Sequence, residues 1–204
     1  MARDGSETRL LRGFPATAYE RLIVRYPYQS DGDYAHAYQS SAQRLASTYA
    51  GRAEDDLILI PYLMLYRHAF ELQMKSMIRR LVDWREVYGH GLDDGLRGAT
   101  LEAHLKDNLG HGLYPIFNDL RNRYYAIAGV ERIPPSIEKI ISMLHEADRH
   151  GVSFRYAGGL PDRQENVDFP DLCAVLDQEF DWLSVWLDPL GAGFDAMPHP
   201  SELM

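Results

Sequence analysis

Apolar positions recur at three- and four-residue intervals through most of this chain, and that spacing predicts helices. Asp31-Gly32-Asp33 offers caps for a helix over residues 34–50, with Tyr34, Ala37, Tyr38, Ala42, Leu45, Ala46 and Tyr49 as its apolar stripe and Gly51 as its stop. Leu57-Ile58-Leu59-Ile60 resembles a buried strand when taken alone. The pattern nevertheless continues without a glycine to Trp84, which predicts a long helix over residues 54–84 with Pro61 tolerated near its start. That helix is apolar nearly all round at first, so it is expected at the centre of a bundle.

Four glycines between Gly89 and Gly98 predict a loop. Further helices are predicted over residues 100–108, 114–128, 136–149 and 169–187, the last ended by Pro189. Residues 152–156 read as a short extended segment, residues 1–30 as an aromatic and proline-rich arm, and residues 191–204 as a loose tail. The expected fold is an all-α bundle of about five helices spanning residues 31–190.

Composition narrows the function classes. With 204 residues, 46% apolar and 25% charged, the chain fits one packed domain. No apolar run is long enough for a membrane span, the first residues lack the apolar stretch of a signal peptide, and Cys173 is the single cysteine. These features point to a cytoplasmic protein without disulfides or a cysteine-rich zinc site. The net charge of −9 is concentrated at one end. Residues 157–204 hold ten acids and one basic residue, Arg163, whereas residues 1–156 hold 20 of each sign. Such an acidic chain is a poor non-specific binder of nucleic acid, and its last quarter is a candidate surface for a protein partner.

Candidate chemistry centres on the long helix. Arg67, Glu71 and Lys75 fall at i, i+4 and i+8, and His68 lies three residues before Glu71, so the four share one side of a helix with apolar surroundings. Two readings stay open: a solvated salt-bridged face, or an internal ion-pair network lining a cleft. His68 with Glu71 and His145 with Asp148 have metal-like spacing, yet the ligand set of a di-metal helical protein is missing, so no metal and no cofactor are expected. Arg85 with His90 and Arg97 with His104 have the spacing of an Arg–His pair for metal-independent RNA cleavage, but chance supplies about as many in a chain this rich in arginine. Cys173 reads as core, and nucleophile motifs are absent.

The ordered pieces resemble a known family. The helix Arg67-His68-x-x-Glu71-Leu72-x-x-Lys75 is followed by Gly110-His111-Gly112-Leu113 at a helix start, then by Phe154-Arg155-Tyr156 and an acid-capped last helix beginning Val167-Asp168-Phe169-Pro170. This order is similar to bacterial HEPN-like helical bundles, with Gly112 where an Asp is usual. The resemblance implies a dimeric bundle in the orbit of RNA cleavage, toxin–antitoxin pairs and antiphage defence. Beside the resemblance, two readings of these residues stay open. In one, His111 caps its helix or lies near Arg67, His68 and Arg155, giving with Glu71, Lys75 and Tyr156 a cationic pocket for a phosphate, nucleotide or RNA. In the other, Arg155 and Tyr156 tie the extended segment to Glu71 or Asp148 and hold the bundle. His104 and His111 are the catalytic candidates. The family's late Arg–His motif is absent between residues 114 and 151. The expected role is therefore a binding, scaffold or regulatory component, with a metal-independent endoribonuclease as the alternative and a helical metal-binding protein behind both.

Overall fold

The computed structural model describes residues 29–129, 132–155 and 166–198. Among these the secondary structure is helical, with no strand. The elements are α1 (Asp31–Ala46), α2 (Leu59–Tyr88), α3 (Gly98–Ala103), α4 (Leu113–Ala128), α5 (Pro135–Ala147), α6 (Phe169–Val185) and α7 (Asp188–Asp195). The all-α bundle expected from the periodicity is present. No helix among the described residues is long and apolar enough to cross a membrane. The arm predicted over residues 1–30 lies almost wholly outside the described residues.

Helix α2 is the axis of the bundle, and α1, α4, α5 and α6 all pack on it. It buries Tyr62, Tyr66, Phe70, Met74, Ile78 and Leu81 on successive turns. A one-sided helix would leave half of its circumference wet; a central one cannot. Its strand-like entry, Leu57-Ile58-Leu59-Ile60, is the end of a 3-10 turn (Ala53–Ile58) running into the first turn of α2. Gly89, at φ 72°, closes the far end, where a side chain would be strained. Tyr66 donates its hydroxyl hydrogen to Asp177 of α6. Burial, and then the Asp177 carboxylate, push that phenol's pKa up, so it remains a neutral donor.

Several boundaries differ from expectation for local reasons. Helix α1 begins at Asp31 because Ser30 is its cap: the Ser30 hydroxyl accepts from the Asp33 N–H while the Asp33 carboxylate accepts from the Ser30 N–H. Its buried face is Ala35, Gln39 and Ala42, so the stripe is rotated from the one expected, and Tyr34 and Tyr49 are exposed. Pro189 does not end the last helix; it sits in the first turn of α7, where a missing N–H costs nothing. The predicted loose tail is thus helical to Asp195, and Phe194 stacks between Trp84 and Tyr88. The predicted extended segment is instead a 3-10 turn at Ser153–Arg155. Asp148 causes this by accepting both the Val152 and the Ser153 N–H, which bends the chain back toward α2.

Candidate functional site

The polar row of α2 lies inside the protein. Arg67, Glu71, Lys75 and, after α5, Asp148 are 4%, 1%, 9% and 2% exposed, so the solvated-face reading is excluded. Buried charges at these levels need partners, and each has them. The Glu71 carboxylate accepts from Lys75 Nζ at 2.9 Å, from Arg67 Nη1 at 3.4 Å and from His111 Nδ1 at 2.8 Å. Arg67 also donates to the Asp148 backbone carbonyl at 3.2 Å and to the His111 carbonyl at 2.6 Å, and its Nε lies 3.3 Å from Asp148 Oδ2. Lys75 also donates to the Gly110 carbonyl at 2.7 Å. Two cations therefore meet two anions, and the spare donors are spent on the carbonyls of the turn before α4.

This arrangement explains the glycine and histidine signals. Gly151 has φ 74°, and a Cβ there would come within 3.0 Å of Arg67 Nη1, so only glycine lets the chain pass over the guanidinium. Burial pushes the pKa of Glu71 up, but the bond from Lys75 and then the one from His111 outweigh it and hold the carboxyl below its usual range. Burial likewise raises Asp148, and the Ser153 N–H with Arg67 brings it below normal. Glu71 is therefore ionised and can only accept, so His111 carries its proton on Nδ1 and its Nε2 is left without one in the neutral ring.

His111 and His68 line one cleft of about 240 Å³, with Lys75, Arg79, Lys106 and Glu102 among its walls. Arg79 is neutralised there by Asp31 at 2.6 Å and Glu102 at 2.7 Å. On the other side of His68 a smaller cleft is lined by Tyr38, Arg67, Asp148, Gly151 and Arg155. The Tyr38 and His68 rings meet edge to face at 4.4 Å. Burial lowers the pKa of His68; Glu71 opposes this, and the charges of Arg155, His111 and Arg67 add to the lowering. His68 is thus the point where both clefts and three cationic or titratable groups converge.

Of the residues singled out from the sequence, Arg67, His68, Glu71, Lys75, His111 and Arg155 are brought together, while Tyr156 lies outside the described residues. His104 is not brought to them. It sits on a π-helical turn (His104–Asn108), with Nε2 3.2 Å from Asp119 and Nδ1 3.1 Å from Asn108. Asp119 belongs to a separate chain of pairs through Arg123, Asp94 and Arg85 that ties the glycine loop to α4. The two catalytic candidates, His104 and His111, thus lie in different polar groups, and His104's partner Asp119 is on a face of α4 that serves the loop. From the sequence Asp148 is a metal-like partner for His145 or an anchor for Arg155 and Tyr156. It is instead the second anion of the buried network, a role that a local window around α5 does not reveal. Among the described residues, no three His, Cys, Asp or Glu side chains are grouped to hold a metal ion.

No protein-family model matches this chain, and comparison with curated proteins and with solved structures finds no match.

Proposed function

We propose that this chain is a HEPN-like binding protein that takes a phosphate-bearing anion at the corner formed by His68 and Arg155, and that it serves as a dimeric regulatory or scaffold component in a bacterial defence or toxin–antitoxin setting. The observation that carries this reading is the division of the cations. Arg67 and Lys75 are consumed by Glu71 and Asp148 and by backbone carbonyls. Arg155, exposed on the rim of the cleft, has no acidic partner of its own among the described residues, because Asp148 is already filled by Arg67 and two backbone N–H groups. A guanidinium beside an imidazole supplies planar donors and a charge that follows pH, which suits a phosphate oxyanion.

A second reading, a metal-independent ribonuclease, is favoured by one observation. A buried carboxylate orients His111 while leaving its ring 62% exposed, an arrangement suited to proton transfer, and His68 shares the cleft. One set of measurements separates the two. Calorimetric titration with a nucleoside diphosphate and with short RNA, in EDTA, is expected to show binding that Arg155→Ala weakens about tenfold or more, without strand cleavage. Cleavage in EDTA that His111→Ala abolishes would replace the binding reading with the enzymatic one. Absence of both binding and cleavage would remove both. Light scattering is expected to give twice the chain mass; a monomer would contradict the dimeric part.

A further inference from the structure

A third cleft lies on the opposite side of His111 from Lys75. Its volume is about 410 Å³, within the range of small-molecule sites. Its polar wall is His111, His145, Arg149 and His150, and Leu109 and Pro115 supply apolar floor. Among the described residues no carboxylate lines it. This sets it apart from the first cleft, where every strong cation except Lys106 meets an acid. His145 stacks on Tyr114 with ring centres 6.1 Å apart, and its buried Nδ1 has no hydrogen-bond partner among the described residues.

We infer that this cleft is a binding site for a phosphate monoester, with the phosphate held by Arg149, His145 and His150 and the organic group lying on the Leu109–Pro115 floor. His111 on this wall is already tied to Glu71, whereas Arg149, His145 and His150 converge with no carboxylate among the described lining residues, and a bound dianion supplies the missing counter-charge. The surroundings agree. Burial lowers the pKa of His145, and the charges of Arg67 on α2 and of Arg149 and His150 just beyond α5 lower it further; Glu146 alone acts the other way. An anion in the cleft reverses the sign of the local field, so its binding draws a proton onto His145. The apolar floor selects an ester over the bare ion, because inorganic phosphate leaves that surface uncovered. His111 forms a wall of this cleft and of the first, yet the site does not depend on what occupies the first.

The test uses the whole chain and follows the imidazole Cε1–H resonances during titration with adenosine monophosphate, inorganic phosphate and acetate at about pH 6 and about pH 8.5. The expected result is tighter binding of the ester than of phosphate, negligible binding of acetate, and affinity about tenfold lower at the higher pH. Arg149→Ala with His150→Ala, both exposed and so harmless to folding, is expected to remove about tenfold or more of the affinity. His145→Gln is expected to weaken binding while leaving the circular dichroism unchanged. Arg155→Ala is expected to leave this site intact, which separates its failure from that of the His68–Arg155 corner. Resonances of His145 and His150 that stay put with all three ligands, or affinity that survives the Arg149 and His150 substitutions, would overturn the inference.

Discussion

Replacing Glu71 with Gln removes one charge and almost no volume, so its effect isolates the buried network. Glu71 is 1% exposed and accepts from Lys75, Arg67 and His111. In the variant, Arg67 keeps Asp148 as its anion, whereas Lys75 keeps only the Gly110 carbonyl and the amide oxygen. One ammonium is thus left buried without a counter-charge. Breaking a buried pair from one side costs about 3–5 kcal/mol. The intact Arg67–Asp148 pair and the remaining amide acceptor place the expected loss at the lower end, about 3 kcal/mol. Urea denaturation followed by circular dichroism at neutral pH is expected to show the midpoint falling by about 1 M or more. The Arg121–Glu138 pair, whose side chains are 29% and 41% exposed, is the internal control. Glu138→Gln is expected to cost less than about 1 kcal/mol. If the two variants lose similar stability, Glu71 is not desolvated and the reasoning fails.

The same network sets a pH dependence. The folded pKa values of Glu71 and Asp148 lie below their ordinary 4.5 and 3.8, so these groups contribute stability above those values and lose it as pH falls through the folded pKa. His68 and His145 are also lowered, from 6.5, so the unfolded chain takes up their protons first and stability begins to fall below that pH. Thermal melts are expected to show a decline starting near pH 6.5 and steepening below 4.5; a flat profile between 7 and 4 would contradict this. Gly151→Ala is expected to cost clearly more than Gly89→Ala. Both have positive φ, about 1–2 kcal/mol for a non-glycine residue, but only Gly151 lies against Arg67, while nothing crowds Gly89. Equal losses in chemical denaturation would remove the guanidinium as the cause. Phe194→Ala is expected to free α7 and alter the Trp84 fluorescence, with a loss of about 3 kcal/mol; an unchanged spectrum would deny the stacking.

The helices were legible because burial around α2 follows the period of the backbone. The uninterrupted run past Ile60 settled the strand-like Leu57–Ile60 in favour of helix, whereas the i, i+4, i+8 row of Arg67, Glu71 and Lys75 was compatible with either a solvated face or an internal network. The partners of that row were not legible. The Gly110 and His111 carbonyls and Asp148 reach it from turns 35, 44 and 81 residues away, through geometry that only the packed bundle creates. The 3-10 turn at Ser153–Arg155, in place of an extended segment, has the same origin, since two backbone bonds to Asp148 outweigh the extended preference of Val152 and Phe154. The bond of His104 to Asp119 on another helix was likewise not legible from its spacing to Arg97.

An ionised Glu71 holds His111 at the mouth of the cleft, and the first and third clefts share that histidine as a wall. Long-range nitrogen–proton correlation spectra of the histidine rings test this directly. The neutral His111 ring is expected to carry its proton on Nδ1 in the wild type and to lose that preference in Glu71→Gln. A wild-type ring protonated on Nε2, or one whose tautomer ignores the substitution, would contradict it.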